Sequence, residues 1–267
     1  MAGASCVGQN GWIEYVAGDL PIVISVPHGG AIAPANVPDR TFGTTATDRN
    51  TIDLALAISD GLRSLTGRSP HVVFCNLRRI KIDVNREVVE AAQSDPAMIQ
   101  AWTEYHGFVE LALGEVQRRG GGFFIDLHGH AHAIARVEWG YLLSAATLDQ
   151  SDAMLDASGI GALSSLQALL STTPDPFSEV LRGPASLGGL LQPTFPSVPS
   201  PSAPSPAGAE YFTGGYITRR HTAAVAGVQL EANFPGLRDT AANRAAFGSA
   251  LAPVLRAFAA RHLGLMF

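Results

Sequence analysis

Residues 22–26, IVISV, form a short β-branched apolar run that ends at Pro27, His28, Gly29 and Gly30. Such a run reads as a buried strand emptying into a loop, which puts a histidine at the strand's exit. From Thr47 the spacing changes: Ile52, Leu54, Ala55, Ile58 and Leu62 recur near the helical period, with Thr47 or Asp48 placed to cap the start and Gly67 beyond the end. Residues 71–75 are again a short apolar strand, and residues 80–84 alternate apolar and polar as a half-buried strand does. A long gapless helix is expected over 97–119 through Trp102, Tyr105, Val109, Leu113 and Val116, stopped by three glycines. Residues 123–127 are then fully apolar apart from Asp126, and the strand delivers histidines at its end in DLHGHAH.

Residues 139–144 suggest another strand, followed by weakly helical segments to about 182. The stretch 192–209 is rich in Pro and Ser with little to bury, so it is expected to be a mobile surface loop. Strand character returns over 225–231, and an Ala-rich amphipathic helix is expected from 237 to about 263. Strands alternating with helices predict an α/β domain around a largely parallel sheet, without internal repeats. In such sheets functional groups gather beyond the strands' carboxyl ends.

With 267 residues, 46% of them hydrophobic, the chain suits one large core, and residues 1–267 are read as a single domain. The formal charge of −5 and the scattered basic residues argue against a nucleic-acid partner. No apolar run approaches the roughly 20 residues that span a bilayer, and the first residues lack a basic-then-apolar pattern. A cytosolic protein with no membrane partner is the expectation. Cys6 and Cys75 could pair only once, and Cys75 in its apolar run is expected to be a buried free thiol.

Three metal-ligand candidates fall at the ends of these elements: His28, Asp48 and His128. Two histidines, one carboxylate and an open position suit a catalytic zinc ion. Asp126 shares a strand face with His128, so its carboxylate is placed to orient a liganding imidazole or to sit near water at the site. His130 and His132 read as supporting or surface groups. An Asn and an Arg side by side, Asn85 and Arg86, can hold a carboxylate through a charge-assisted fork. Glu231 ends the run VQLE in an expected core strand, where an ionised acid needs a partner or a task.

PHGG after a strand, DVNR, DLHGH, and GGYIT followed shortly by QLE resemble the N-formylglutamate amidohydrolase family over most of the chain. The same landmarks are similar to those of the wider zinc carboxypeptidase and aspartoacylase assemblage. That resemblance implies a three-layer phosphorylase/hydrolase-like α/β fold and one zinc ion on His28 and His128. Asp48 is the carboxylate ligand by an amidase-like pattern, with Asp39 and Asp53 as alternatives; Ala31 stands where carboxypeptidase-like relatives carry theirs. It further implies proton transfer by Glu231, carboxylate binding by Asn85 and Arg86, and an arginine, Arg78 or Arg79, for the oxyanion. The segment with Tyr216, Arg219 and Arg220 resembles the family's substrate side, where an arginine would engage a second carboxylate.

The activity so implied is hydrolysis of a small anionic N-acyl amino acid. The alternatives on the same scaffold are a zinc peptidase or muramoyl-alanine-type amidase, or a binding protein without catalysis. Phosphoester hydrolysis ranks last, for want of a Gly-rich phosphate loop or an acid-dense pair of metal sites.

Overall fold

The computed structural model describes residues 3–267. One eight-stranded mixed sheet forms the middle layer, built from β1 (Ser5–Val7), β2 (Ile13–Val16), β3 (Ile22–Val26), β4 (His71–Cys75), β5 (Phe123–His130), β6 (Val137–Gly140), β7 (Ser197–Val198) and β8 (Gly227–Asn233). The order is β1-β2-β4-β3-β5-β8-β6-β7. The centre, β4-β3-β5-β8, is parallel, while β1, β2 and β6 run antiparallel to their inner neighbours. The largely apolar β3, β4 and β5 are buried because helices cover both faces of this centre.

On one face α1 (Thr51–Thr66) packs along α9 (Ala241–Phe258), burying Leu54, Ile58, Phe247, Leu251 and Leu255 against Ile24, Ile125 and Leu230. The short helices α4 (Ala145–Leu148), α5 (Asp152–Ala157), α6 (Phe177–Arg182) and α7 (Leu187–Leu191) extend that layer. The opposite layer holds α2 (Val88–Ala92), α3 (Pro96–Arg118) and α8 (Tyr216–His221). There Met98, Tyr105, Val109 and Val116 of α3 pack on Val23, Val73 and Phe124. Asp95 caps α3 by accepting hydrogen bonds from the Ala97 and Met98 amides, and Pro96 opens it where no amide donor is needed.

Several boundaries differ from the sequence expectation, each for a local reason. Residues 80–84 form no strand: the Lys81 amide bonds back to the Arg78 carbonyl and the chain turns, although Ile82 and Val84 are buried. β6 stops at Gly140, because Leu142 adopts a left-handed backbone (φ 64°) and Ser144 then caps α4. Helix α1 is preceded by left-handed Asn50 (φ 67°), so neither Thr47 nor Asp48 caps it. Helix α9 begins only at Ala241, after Pro235 and Gly236 break the chain and the Thr240 side chain accepts from the Asn243 amide. The Pro/Ser-rich stretch is not wholly a surface loop: residues 197–200 are buried, and Ser197–Val198 is the edge strand β7, parallel to β6. Among the described residues no helix is long and apolar enough to cross a membrane.

Three histidines are buried away from the polar end of the sheet. His71 accepts at Nδ1 from Tyr15 Oη (2.7 Å), while His106 Nδ1 and His221 Nε2 share a hydrogen bond of 2.9 Å. Burial, first of all, lowers His71 and His221 to about 4 and His106 to about 3; neighbouring positive charge helps in each case. The unfolded chain takes up these protons near pH 6.5 and the folded chain only near pH 3–4, so this stability is complete above pH 6.5 and is lost as pH falls towards 4. The loss is on the order of 3 kcal/mol per histidine by pH 4. The urea midpoint should therefore drop steadily from pH 7 to 4; a flat profile over that range contradicts the burial of these rings as neutral bases.

Candidate active site

The polar end of the sheet is one face of its parallel centre. His128 on β5 stands opposite Glu231 on β8, and Glu231 in turn opposite Glu138 on β6. Two residues upstream Ser25, Asp126 and Gln229 form a second polar row on the same face. Gly29 and Gly30 let the chain leave β3 tightly. A side chain at Gly30 would strike the Asn76 backbone, so the histidine before the pair is held rigidly over the strand end.

His28, Asp48 and His128 converge there. Their donor atoms all lie within 4.8 Å of one another. Asp48 Oδ2 is 3.4 Å from His28 Nδ1 and 3.3 Å from His128 Nδ1. Those two separations equal the edge of a tetrahedron with metal–ligand bonds of about 2.0–2.1 Å, roughly 3.3 Å. His28 Nδ1 is buried without a hydrogen-bond partner, as an atom reserved for a metal should be. Each ring has a carboxylate behind it. His28 Nε2 donates to Asp83 Oδ1 (2.7 Å), and His128 Nε2 lies 3.2 Å from Asp126 Oδ1, close but off the line of a hydrogen bond. Asp126 is itself held by Ser25 Oγ (2.8 Å) and Thr218 Oγ1 (3.0 Å).

The site attracts positive charge. Burial, the largest influence on Asp48, would raise its pKa, but bonds and charge from His128 and His28 hold it far below the usual carboxylate range. Burial would lower His128, yet Asp126, Asp48 and Glu231 together push it well above an ordinary imidazole. The residues present therefore fit a divalent cation: two imidazoles, one ionised carboxylate and an outer carboxylate for each ring.

A second histidine–carboxylate group, His130, His132 and Glu138, is already satisfied internally. His130 donates from Nε2 to the Arg136 carbonyl and accepts the His132 amide at Nδ1. Glu138 accepts from His132, Arg136 and the Phe212 amide. His130 thus braces the chain after β5 rather than supporting the first group's ligands.

Glu231 is 3% exposed. Its Oε1 accepts from Gln229 Nε2 (2.8 Å), and Oε2 has no partner. Burial raises it to about 8; His128 opposes that, while Asp48, Glu138 and Asp126 add to it. A cavity of about 280 Å³ opens over Glu231, Asp48 and His128, with Arg79, Asn85 and Arg86 in its wall. Asn85 Oδ1 accepts the Ile217 amide (2.8 Å), and its side-chain amide packs directly against Gly215, where an added side chain would displace it.

The two arginine pairs differ in placement. Arg79 is buried, paired with Asp83 (2.9 Å) and 3.9 Å from Asp48, whereas Arg78 is exposed in a different cavity. Arg219 and Arg220 do not line the site. Arg219 is exposed, and Arg220 pairs with Glu110 (3.1 Å) and stacks on Trp102. Tyr216 points its hydroxyl at Glu87 and Arg220, and Tyr211, Phe212 and Thr213 line the cavity in its stead. Asp39 pairs with Lys81, and Asp53 lies near Arg244, so neither alternative carboxylate joins the cluster.

Asp83 was not among the sequence candidates. It is fully buried and serves His28, Arg79 and the Asn85 amide at once. Burial would raise its pKa, but His28, Arg79 and Arg86 hold it far below the usual range.

No protein-family model matches the sequence, and no curated protein does. Among solved structures the chain is similar to N-formylglutamate amidohydrolase from Ralstonia eutropha, at 14% identity and a TM-score of 0.56, over 98% of this chain and 98% of that one. It is also similar to a gene product of Agrobacterium tumefaciens, at 14% identity and a TM-score of 0.53, over 91% and 92% of the two chains. Both likenesses extend over nearly the whole length and define the architecture: a three-layer α/β fold shared with an amidohydrolase.

Proposed function

We propose that this chain is a zinc-dependent amidohydrolase of the N-formylglutamate amidohydrolase type, cleaving the amide of a small anionic N-acyl amino acid. The observation that carries this reading is the convergence of His28, Asp48 and His128 beside the buried, half-unpartnered carboxyl of Glu231. The motif order and the fold shared with an amidohydrolase support it.

His28, Asp48 and His128 would hold the ion, which when bound supplies Lewis acidity to water and to the scissile carbonyl. Glu231 lines the cavity and its Oε2 has no hydrogen-bond partner, so this carboxyl would take a proton from the attacking water and pass it to the departing amine. The balance is that of hydrolysis: water's oxygen and one hydrogen end on the acyl carbon, the C–N bond breaks, and the other hydrogen leaves on nitrogen. Arg79, fixed by Asp83, directs positive charge at the carbonyl oxygen as charge develops there. Asn85 and Arg86 hold the amino acid's carboxylate at the far wall.

Assaying release of free glutamate from a panel of N-acyl-L-glutamates, formyl included, with added zinc and with chelator, tests the proposal; zinc-independent turnover, or turnover of none of them, would sink it. Arg86→Ala should raise KM by about 10- to 100-fold, the worth of one charge-assisted contact, with a much smaller change in kcat. An unchanged KM would remove Arg86 from carboxylate binding.

A further inference from the structure

A second cavity of about 400 Å³ adjoins the first. The two share Asp48, Arg79, Gly129 and Phe212 in their walls, whereas Glu231, Asn85 and Arg86 line only the first. The group that hands a proton to the leaving nitrogen must lie on the amine's side of the scissile bond. The amino-acid half therefore occupies the first cavity, and the acyl half points across the shared wall into the second. A formyl group, one carbon and its oxygen, would leave almost all of that space to water.

The second cavity also has a distinct chemistry. Arg49 lies over the Phe234 ring, with its guanidinium carbon 4.6 Å from the centroid, and pairs with no carboxylate among the described residues. Arg238 lies over the same ring at 5.3 Å, but its nitrogens are already given to the carbonyls of Ala232, Arg49 and His130. Arg238 thus fixes the backbone of Arg49, and Asn50, in its left-handed turn, donates back to the Arg238 carbonyl (2.9 Å). The charges facing this space are Arg49, Arg79 and Arg238 against Asp48 and the exposed Glu210. Aromatic rings beside an uncommitted, backbone-anchored guanidinium suit a short methylene chain that ends in an anion.

We propose that the second cavity is an acyl subsite for a dicarboxylic acyl group of the succinyl or glutaryl kind, whose free carboxylate pairs with Arg49 while its methylenes lie along Phe234. This rests on the amidohydrolase reading above. The acyl group, rather than the amino acid alone, then sets specificity, because a cavity built for an anion disfavours an acyl group that leaves Arg49 unpaired and the pocket wet.

The test compares kcat/KM of the zinc-loaded protein for N-formyl-, N-acetyl-, N-succinyl- and N-glutaryl-L-glutamate. It is run beside calorimetric binding of succinate and glutarate to the same protein. The succinyl or glutaryl substrate should exceed the acetyl one by about 10-fold or more. Arg49→Glu should cut that ratio by about 10- to 100-fold, and Arg49→Lys should restore part of it. Dicarboxylate binding should weaken in parallel. A preference for formyl or acetyl, or an Arg49→Glu ratio equal to that of the parent, overturns the acyl subsite while leaving the amidohydrolase standing. Turnover of none of the four overturns the amidohydrolase reading, and the acyl subsite with it.

Discussion

Glu231→Gln is expected to keep its metal and lose kcat by roughly 10²- to 10⁴-fold, the usual share of a general acid–base. The substitution is nearly isosteric. Glutamine can still meet Gln229, whose amide donates to Glu231 Oε1, so folding and the ligand set are left in place. What disappears is the ability of the Oε2 position, buried and unpartnered, to accept and return a proton. Steady-state kinetics beside metal analysis of the same sample provide the check. Parent-like turnover in a zinc-loaded variant would remove Glu231 from the chemistry, and loss of zinc would make it a ligand instead.

Asp83→Asn should have the next largest effect, a fall in zinc affinity of about 10- to 100-fold, as when the outer partner of a liganding histidine is lost. The carboxylate of Asp83 fixes His28 with Nδ1 turned towards Asp48, and it carries the charge that strengthens the ring as a donor. Asparagine keeps the shape and one acceptor but not the charge, and Arg79 and Arg40 lose their common counter-ion. Moderate destabilisation is therefore expected alongside weaker binding. Competition against a chromogenic chelator measures the affinity directly. An unchanged zinc affinity would show that Asp83 serves only the arginines.

Much of this architecture can be read from the chain because apolar runs ending in His-Gly are local signals. The IVISV and FFIDL segments declare strands by composition, and a histidine just past each must lie at the sheet's carboxyl end whatever the rest of the fold does. Asp48 is reached in the same way, by its place just before a strongly periodic helix. Asp83 escaped because KIDVN alternates: Lys81 and Asp83 fall on the side that a half-buried strand gives to water. In the folded chain that segment turns and buries both, a tertiary event with no local mark. The basic pair Arg219 and Arg220 shows the converse limit, since composition reveals charge but not that both side chains lie on the exposed side of α8, away from the cavity. Pro and Ser content likewise spoke for a solvated loop over 192–209, and it gave no sign that Ser197 and Val198 would find an edge position beside β6.

Metal content measured by mass spectrometry, on protein purified without chelators and on His28→Ala, is the most direct test of a zinc site made by His28, Asp48 and His128. About one zinc per chain in the parent, falling to a small fraction in the variant, is the expected result. A metal-free parent that is nonetheless active, or a His28→Ala protein that retains full zinc, would contradict the site.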